Sequence, residues 1–282
     1  MKKEFQINCP AKINLSLDVV NRREDGYHNL SMIMQEIKLY DTLTLVAEEG
    51  SGITLTANLP SVPTDGRNLI VKAANLFFEK TGLSAKLNIH LEKTIPMGAG
   101  LGGGSTDAAG TLTALNTMFG EPLDINTLAP MAKKLGADVP FFLYGGCMLA
   151  EGIGEKLTPV TPLTNAYIIL AKPPVHVSTA YVYKNLVLDE NTVHPDTKKV
   201  LEAMETGDLE LLAKSAGNVL ETVTAKNYPE IEAYKSRMLR HGAEYSLMSG
   251  SGSSVFGVFK DEVSANAALA EFKSITKEAY VV

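Results

Sequence analysis

The sequence lacks the features that mark secreted, membrane-spanning and nucleic-acid-binding proteins. Its 282 residues include only two cysteines, Cys9 and Cys147, without a CxxC spacing, which excludes a disulfide framework and suits a reducing cytoplasm. No apolar run approaches the roughly 18 residues of a membrane span, and the polar start of the chain has no signal-peptide apolar region. The net charge of -6 is divided evenly, with 14 basic and 17 acidic residues up to position 160 and 12 and 15 after it, so no basic half can follow a phosphate backbone. We expect a soluble, cytoplasmic protein with no nucleic-acid, membrane or protein partner.

Glycine is ordinary in amount, at 23 residues, but six of the thirteen residues from Gly98 to Gly110 are glycine. This segment lies between a predicted strand and a predicted helix, where backbone N–H groups and a helix N-terminus can bind an anion. Glycines let phosphate oxygens approach the amides and permit positive φ. A flexible loop or simple turn is the weaker alternative, because such turns need one or two glycines and rarely adjoin a capped helix. The segment therefore predicts a phosphate-binding loop.

Two familiar phosphate loops do not match this segment. A Walker A loop has a lysine before its serine or threonine, whereas Gly104 directly precedes Ser105. A GxGxxG match exists at Gly98, Gly100 and Gly103, but the preceding strands alternate and another helix follows, which does not fit a Rossmann unit. The HRD and DFG triplets of protein kinases are absent from the sequence. A distinct kinase-type loop remains.

Hydrophobic periodicity predicts an α+β protein of two domains. Over the first ninety residues apolar side chains mostly alternate with period two, which is typical of half-buried antiparallel strands. Helices are predicted from Asn68 to Gly82, from a cap at Ser105 or Thr106 up to Gly120, and from Asp124 to Leu135. From about Tyr167 the order is β, α, β, β, α, β, the ferredoxin-like pattern with extra helices in its first crossover. The proline- and threonine-rich stretch 157–165 is the predicted joint between domains 1–160 and 161–282.

Three segments resemble the GHMP small-molecule kinases, the superfamily of galactokinase, homoserine kinase and mevalonate kinase. Pro96–Ser105 is similar to their phosphate loop, and Pro10–Leu15 and Ser249–Phe256 fit two further motifs. The resemblance implies a ribosomal protein S5 domain 2-like N-terminal domain, a ferredoxin-like C-terminal domain, and ATP with Mg2+ as cofactors. The residues do not indicate which groups would bind Mg2+. The residues implied to bind ATP are Pro96, Met97, Gly98, Ala99, Gly100, Leu101, Gly102, Gly103, Gly104, Ser105 and Thr106.

A kinase that acts on an alcohol must deprotonate a hydroxyl and neutralise charge on the transferred phosphoryl group. Lys12 lies with Asn14 on the polar face of an alternating strand, and by itself it fits a solvated surface lysine. Asp138 lies between a helix stop and an apolar run, where a partly buried carboxylate needs a partner or caps the next turn. In the resembling family the positions of Lys12 and Asp138 form the catalytic pair. The resemblance implies that Asp138 acts as base or positions the hydroxyl, and that Lys12 lowers the hydroxyl pKa and steers phosphate.

The segment Arg22–Leu30 indicates which kind of molecule accepts the phosphoryl group. An Asp-Gly pair fits a hairpin turn, but it leaves Tyr27 and His28 unexplained. A tyrosine beside a histidine can stack on an aromatic heterocycle and form hydrogen bonds with it. With the segment around Lys12, these residues resemble the kinases that phosphorylate 4-diphosphocytidyl-2-C-methylerythritol in non-mevalonate isoprenoid precursor biosynthesis.

That resemblance implies how the acceptor is bound. Tyr27 and His28 are implied to hold the cytosine, and Tyr183 to stack on its other side, with Tyr181 a weaker candidate. Asn14, Thr179 and Asp138 are implied to face the methylerythritol group. The small-molecule acceptor would then be phosphorylated on its 2-hydroxyl.

Two positions leave alternatives open. Ser253 replaces the proline that the family usually has in its late glycine loop, and we expect this replacement to loosen the loop. Asn68 resembles the family's adenine contact, but helix capping explains it equally well. Two rival functions are a sibling kinase acting on another alcohol, of mevalonate or homoserine type, and a non-catalytic nucleotide-binding homologue. The presence of both Lys12 and Asp138 argues against the second rival.

Overall fold

The computed structural model describes residues 2–282 and divides into two compact units. The first unit consists of the residues up to Ala11, Leu39–Met97 and Gly102–Gly145, and the second of Lys12–Lys38, Gly98–Leu101 and Gly146–Val282. Two long strands, β1 (Lys3–Arg22) and β2 (His28–Glu48), each contribute residues to both units. The predicted domains 1–160 and 161–282 stay a prediction.

The first unit contains a sheet in the order β3, β4, β2, where β3 is Gly52–Ala57 and β4 is Lys86–Glu92. Strands β2 and β4 are antiparallel, with Leu45 opposite Ile89, as predicted. The prediction of antiparallel strands is wrong for β3 and β4, which are parallel with Leu55 opposite Ile89. The helix α1 (Leu69–Thr81) lies between them in sequence and supplies the long crossover that parallel neighbours require.

Three further helices complete the first unit: α2 (Gly103–Met118), α3 (Ile125–Leu135) and α4 (Val139–Tyr144). The predicted bounds of α1 and α3 are confirmed, since Asn68 accepts a hydrogen bond from the Ile70 amide and Asp124 accepts one from the Thr127 amide. Apolar side chains of these helices and strands form one buried core, which includes Leu43, Leu45, Phe77, Leu112 and Leu115.

The second unit contains further strands of this six-stranded sheet and a separate four-stranded sheet. The first 11 residues of β2 belong to this unit, and β2 pairs with β5 (Cys147–Gly152), which pairs with β6 (Lys156–Pro159). The other sheet has the order β10, β7, β9, β8, with every neighbouring pair antiparallel. Its strands are β7 (Tyr167–Ala171), β8 (Tyr245–Met248), β9 (Val255–Phe259) and β10 (Ala279–Val281).

Helices α5 to α9 connect β7 to β8, and α10 connects β9 to β10. The six are α5 (Thr179–Asn185), α6 (Thr197–Thr206), α7 (Leu209–Ser215), α8 (Glu221–Asn227), α9 (Pro229–Arg240) and α10 (Glu262–Ile275). The predicted order β, α, β, β, α, β with extra helices in the first crossover is confirmed. Across residues 2–282, no helix combines the length and the apolar character needed to cross a membrane.

Candidate active site

The polar face of β1 is buried in the second unit. Lys12 is 4% exposed and its ammonium donates to Asn14 Oδ1 at 2.6 Å and to the Gly100 carbonyl oxygen at 2.9 Å. A buried ammonium is costly unless it is hydrogen-bonded, so these acceptors fix where Lys12 lies. The interpretation of Lys12 as a solvated surface lysine is therefore wrong. The structure brings Lys12 together with Asn14 and the glycine-rich loop.

The glycine-rich loop, Pro96–Thr106, depends on backbone that only glycine adopts readily. Its φ angles are +60° at Gly98, +76° at Gly100 and +72° at Gly102. A Cβ on Gly100 would also collide with the Ser249 carbonyl oxygen. The Lys12 amide donates to the Leu101 carbonyl at 3.0 Å, which ties the loop to β1 within the second unit.

Helix α2 begins directly after this loop. The predicted cap at Ser105 or Thr106 is wrong, because Gly102 in left-handed conformation is the N-cap and the Thr106 amide donates to the Gly102 carbonyl at 2.9 Å. Within the described part of the chain, no side chain caps this helix. The first amides of α2 are thus left to bind water or an anion, and Gly104 in that turn is exposed.

A second glycine turn, Ser249–Ser254, packs against the glycine-rich loop. Ser249 Oγ donates to the Gly100 carbonyl at 3.0 Å, and the Ser254 amide donates to the Ala99 carbonyl at 3.2 Å. Ser253 is fully buried and its hydroxyl donates to the Val175 carbonyl at 2.9 Å. The expectation that Ser253 loosens this turn relative to proline stays a prediction.

Asn218 is a site residue that sequence reasoning missed. It is buried, and its amide nitrogen donates to the carbonyl oxygens of Met248 at 2.7 Å and Gly250 at 2.8 Å. Asn218 therefore holds the start of the Ser249–Ser254 turn. No local pattern marks it, because it stands alone between α7 and α8.

Two of the predicted acceptor-binding residues in the second unit, His28 and Tyr183, form an aromatic pair. The rings of His28 and Tyr183 are 5.3 Å apart between centroids and tilted by 34°. Burial, together with the nearby Arg22 charge, lowers the pKa of His28, so its imidazole is neutral at neutral pH and offers one donor and one acceptor. Tyr27 is 61% exposed and Tyr181 43% exposed. The structure thus brings His28 and Tyr183 together and leaves both other tyrosines largely in solvent.

Thr179 is the first residue of α5, and Tyr183 lies about one turn later on the same helix. Its hydroxyl is 2.7 Å from Ser251 Oγ, and either oxygen can be the donor. The predicted acceptor contact at Thr179 therefore has a second partner in the Ser249–Ser254 turn. This hydrogen bond connects α5 to the Ser249–Ser254 turn, in which Ser249 donates to the Gly100 carbonyl.

Asp138 belongs to the first unit and directly precedes α4. It is half-buried, as predicted, and its side chain forms no capping hydrogen bond with that helix. The capping alternative for Asp138 is therefore wrong. Asn68, in contrast, caps α1.

Among residues 2–282, no group of three or more histidine, cysteine, aspartate or glutamate side chains could hold a metal ion. Magnesium in kinase sites is commonly bound through one or two carboxylates together with the substrate's phosphates and water. The described side chains are compatible with that mode and do not form an all-protein magnesium cage.

Comparison with known proteins gives a consistent result for both halves of the chain. Residues 68–146 match the family model of the GHMP kinases N terminal domain, and residues 200–277 match that of the GHMP kinases C terminal domain. The chain is 48% identical over 269 residues to a 4-diphosphocytidyl-2-C-methyl-D-erythritol kinase of Lachnoclostridium phytofermentans, covering 95% of this chain and 92% of the relative. It is 43% identical to the kinase of the same name from Alkaliphilus metalliredigens, covering 99% and 96%. A crystal structure of 4-(cytidine 5'-diphospho)-2C-methyl-D-erythritol kinase superposes with a TM-score of 0.84 at 36% identity, covering 98% of each chain.

Proposed function

Because the chain belongs to the GHMP kinase family, we propose that it transfers the γ-phosphoryl group of ATP to the 2-hydroxyl of 4-diphosphocytidyl-2-C-methylerythritol. It is a small-molecule kinase with the two-domain GHMP kinase fold, and the step belongs to isoprenoid precursor biosynthesis. The observation that carries the proposal is the buried Lys12, whose ammonium bonds both Asn14 and the Gly100 carbonyl of the glycine-rich loop. An ammonium beside a phosphate-binding loop can stabilise the negative charge that develops during phosphoryl transfer.

The nucleotide phosphates bind at the glycine-rich loop and the first turn of α2. Support comes from the uncapped amides of α2, the exposed Gly104, and the positive φ angles that expose the loop backbone. Such amides, with about half a positive charge at a helix N-terminus, bind anions without any excess of basic residues. When bound with the nucleotide phosphates, Mg2+ would neutralise charge on the transferred phosphoryl group.

Lys12 and Asp138 act on the acceptor hydroxyl. Asp138 takes the hydroxyl proton as the oxygen attacks the γ-phosphorus, the bond to the β-phosphate oxygen breaks, and ADP leaves. Lys12 stabilises the negative charge that develops on the attacking and transferred oxygens. The half-burial of Asp138 and its lack of a capping bond support this role.

The cytosine of the acceptor stacks between His28 and Tyr183. The two rings are 5.3 Å apart, whereas a base between two rings needs about 7 Å, twice the contact distance of about 3.5 Å. One ring must therefore move by about 2 Å when the base enters. The neutral imidazole of His28 can both donate to and accept from the edge of the base, while Tyr27 and Asn14 complete the acceptor contacts.

A cytoplasmic location is also part of the proposal. The two cysteines are free and buried, as is usual for proteins of a reducing compartment. Neither thiol ionises readily to the thiolate that disulfide exchange requires, because burial raises the pKa of Cys147 to about 12 and raises the pKa of Cys9 further.

The proposal is tested by incubating the protein with Mg-ATP and the cytidyl acceptor and identifying the product by phosphorus NMR. We expect one new phosphate, bonded to the tertiary 2-hydroxyl, formed in equal amount to ADP. ADP without a phosphorylated acceptor, or a phosphate on another hydroxyl, would contradict the proposal. Nucleotide binding without any turnover would instead favour the non-catalytic homologue.

A further inference from the structure

Three charged side chains of the first unit are buried together. Asp41 lies on β2, Lys93 follows β4 and Asp107 lies on α2, and their side chains are 0%, 5% and 4% exposed. The Lys93 ammonium donates to Asp41 Oδ2, and to Asp107 Oδ2 at 2.8 Å. We call Asp41, Lys93 and Asp107 the carboxylate–lysine cluster.

The cluster is hydrogen-bonded to the segment that enters the glycine-rich loop and lies close to Gly103 at its other end. Asp41 Oδ1 accepts hydrogen bonds from the amides of Thr94 at 2.6 Å and Ile95 at 2.8 Å, the residues that lead into Pro96. At the other end, a Cβ on Gly103 would lie 2.9 Å from Lys93 Nζ, so glycine is required for this close approach. Asp107 itself lies in the second turn of α2. The same cluster thus bonds the entry into the loop and, through Asp107, the helix that follows it.

The charge of the cluster depends on Asp107. Burial raises the pKa of Asp107 to about 7, because Lys93 only partly offsets the burial and the Asp41 carboxylate adds to the rise. Burial alone would lower the pKa of Lys93, but the charges of Asp107 and Asp41 outweigh it and raise that pKa. In the described part of the chain, Asp107 Oδ1 has no hydrogen-bond partner. Near neutral pH the cluster therefore changes between no net charge and one buried negative charge.

Few other titratable groups face Asp107. The Cys9 thiol on β1 does, and burial raises its pKa, with the charge of Asp107 adding to the effect. Helix α4 has no charged residue. The charged side chains of α1 and α3 are exposed to solvent: Lys72, Glu79, Lys80, Lys133 and Lys134.

We propose that the carboxylate–lysine cluster positions the glycine-rich loop and that the charge on Asp107 controls how tightly the loop binds nucleotide phosphates. The inference rests on the proposed function, which puts those phosphates at the first turn of α2. An ionised Asp107 adds one buried negative charge close to that turn and weakens phosphate binding, since Coulomb forces act strongly in a protein interior. Lys93 is a positioning residue, because its buried ammonium is held by two carboxylates.

Equilibrium binding of ADP to the wild-type chain and to Asp107→Asn, from about pH 6 to pH 9, tests this role. The amide keeps the size and the acceptor oxygen of the carboxylate but has no charge. The ratio of the two ADP Kd values cancels the ionisation of ADP itself. We expect this ratio, wild type over variant, to rise through about pH 7 and to reach about tenfold, the scale of one unit charge acting over about 10 Å at an effective dielectric constant of 20. A ratio that does not change with pH would overturn the proposal.

Two further variants separate positioning from charge. Glu79→Gln removes an exposed carboxylate of α1 and serves as the matched control, for which the Kd ratio stays flat. Lys93→Met leaves two buried carboxylates without a cation and is expected to fold poorly, so the informative variant combines Lys93→Met with Asp41→Asn and Asp107→Asn, which leaves the cluster without net charge, as in Asp107→Asn alone. This triple variant should bind ADP more weakly than Asp107→Asn alone, because the loop has lost its anchor. Equal affinity of the two would overturn the positioning role.

Turnover of the acceptor is measured in parallel on the wild-type chain. If the acceptor is not phosphorylated but the Kd ratio rises with pH, the proposed function fails and the role of the cluster stands. If turnover is normal and the ratio is flat, the role of the cluster fails and the proposed function stands.

Discussion

Single residues of the site carry charge or aromatic rings in places where the fold must compensate them. Lys12 is buried and donates to two acceptors, and the buried Lys93 ammonium donates to both Asp41 and Asp107. Such groups are seldom fully buried without partners, so each is a candidate for function. Their effects can be separated by substitutions that keep shape and remove one property.

Replacement of Asp138 by asparagine is expected to lower kcat by about 10²- to 10⁴-fold, because the amide cannot accept the hydroxyl proton. ADP affinity should be unchanged, since the phosphates bind elsewhere in the proposal. Steady-state kinetics together with equilibrium ADP binding check this. Asp124→Asn, which alters a capping aspartate of the same unit, is the control and should keep kcat. Wild-type turnover in Asp138→Asn would remove Asp138 from the chemistry.

Loss of the Tyr183 ring is expected to raise the acceptor KM and leave the ATP KM unchanged. Base stacking contributes about 1 to 3 kcal/mol, which corresponds to a rise of about 5- to 150-fold for Tyr183→Ala. Tyr183→Phe keeps the ring and should keep most of the affinity. Tyr181→Ala, on the same helix but largely exposed, should have little effect. If the acceptor KM rises in Tyr181→Ala and not in Tyr183→Ala, the stacking residue is Tyr181 and not Tyr183.

The sequence anticipated some of these residues and missed others for physical reasons. His28 and Tyr183 were predicted together through the family resemblance, and they are in contact. The burial of Lys12 was not predicted, because alternation along one strand does not show that a second element covers its polar face. Asn218 and the partners of Lys93 were missed because their contacts join segments distant in sequence, and Asp107 pairs with Lys93 across 14 residues while Asp41 does so across 52.

Among the elements, the glycine-rich loop and α2 show how local backbone creates a binding surface. Glycine at position 102 lets the helix start in a left-handed residue, and the absence of a capping side chain in the described residues leaves its first amides for a ligand. Propensity favoured Ser105 or Thr106 as the cap, but the cap is Gly102, so α2 begins three or four residues earlier than predicted. Likewise the strands β3 and β4 were predicted from alternation alone, which does not distinguish parallel from antiparallel pairing.

Two alanine substitutions in this loop are expected to behave differently. Gly100→Ala places a methyl group against the Ser249 carbonyl at a φ of +76°, so we expect a lower Tm and weaker ADP binding. Gly104→Ala has room, with its nearest neighbour Leu69 Cδ1 at 3.8 Å, and should keep the wild-type Tm. Its methyl group should nevertheless raise the ATP KM, because it obstructs the approach of phosphate to the first turn of α2.

Thermal unfolding and ATP KM measurements on the same preparations check this pair. Gly66→Ala is the control, because a Cβ there meets nothing within 4 Å. If Gly104→Ala changes neither Tm nor ATP KM, the phosphates do not bind at the first turn of α2.

For the whole molecule, the net charge of -6 does not conflict with binding two phosphorylated substrates. The proposed anion site uses backbone amides and a helix N-terminus, so the electrostatics of function are local. The order of elements in the second unit was predictable from periodicity and turn residues, since α9, β8, β9 and α10 are adjacent in sequence. The division of the chain into compact units was not, because β1 and β2 contribute to both.

The buried Asp107 should make stability depend on pH. Its pKa in the folded chain, about 7, is above the ordinary value of 3.8, so between these pH values the folded chain holds a proton that the unfolded chain releases. Stability from this group therefore falls as the pH rises from about 4 to about 7. We expect the Tm of the wild type to decrease across this range relative to Asp107→Asn by at least about 2 to 4 °C, the change that about 1 kcal/mol produces. Parallel Tm profiles would show that Asp107 is already ionised at acidic pH.

The most direct test of the central claim is the release of ADP by the wild-type chain with Mg-ATP and a panel of alcohols under steady-state conditions. The panel contains 4-diphosphocytidyl-2-C-methylerythritol, mevalonate and homoserine. We predict saturable turnover with the cytidyl acceptor and a kcat/KM for it at least about 10³-fold above that of the others, since they lack the base that we propose stacks between His28 and Tyr183. Saturable turnover with mevalonate or homoserine and none with the cytidyl acceptor would contradict the account.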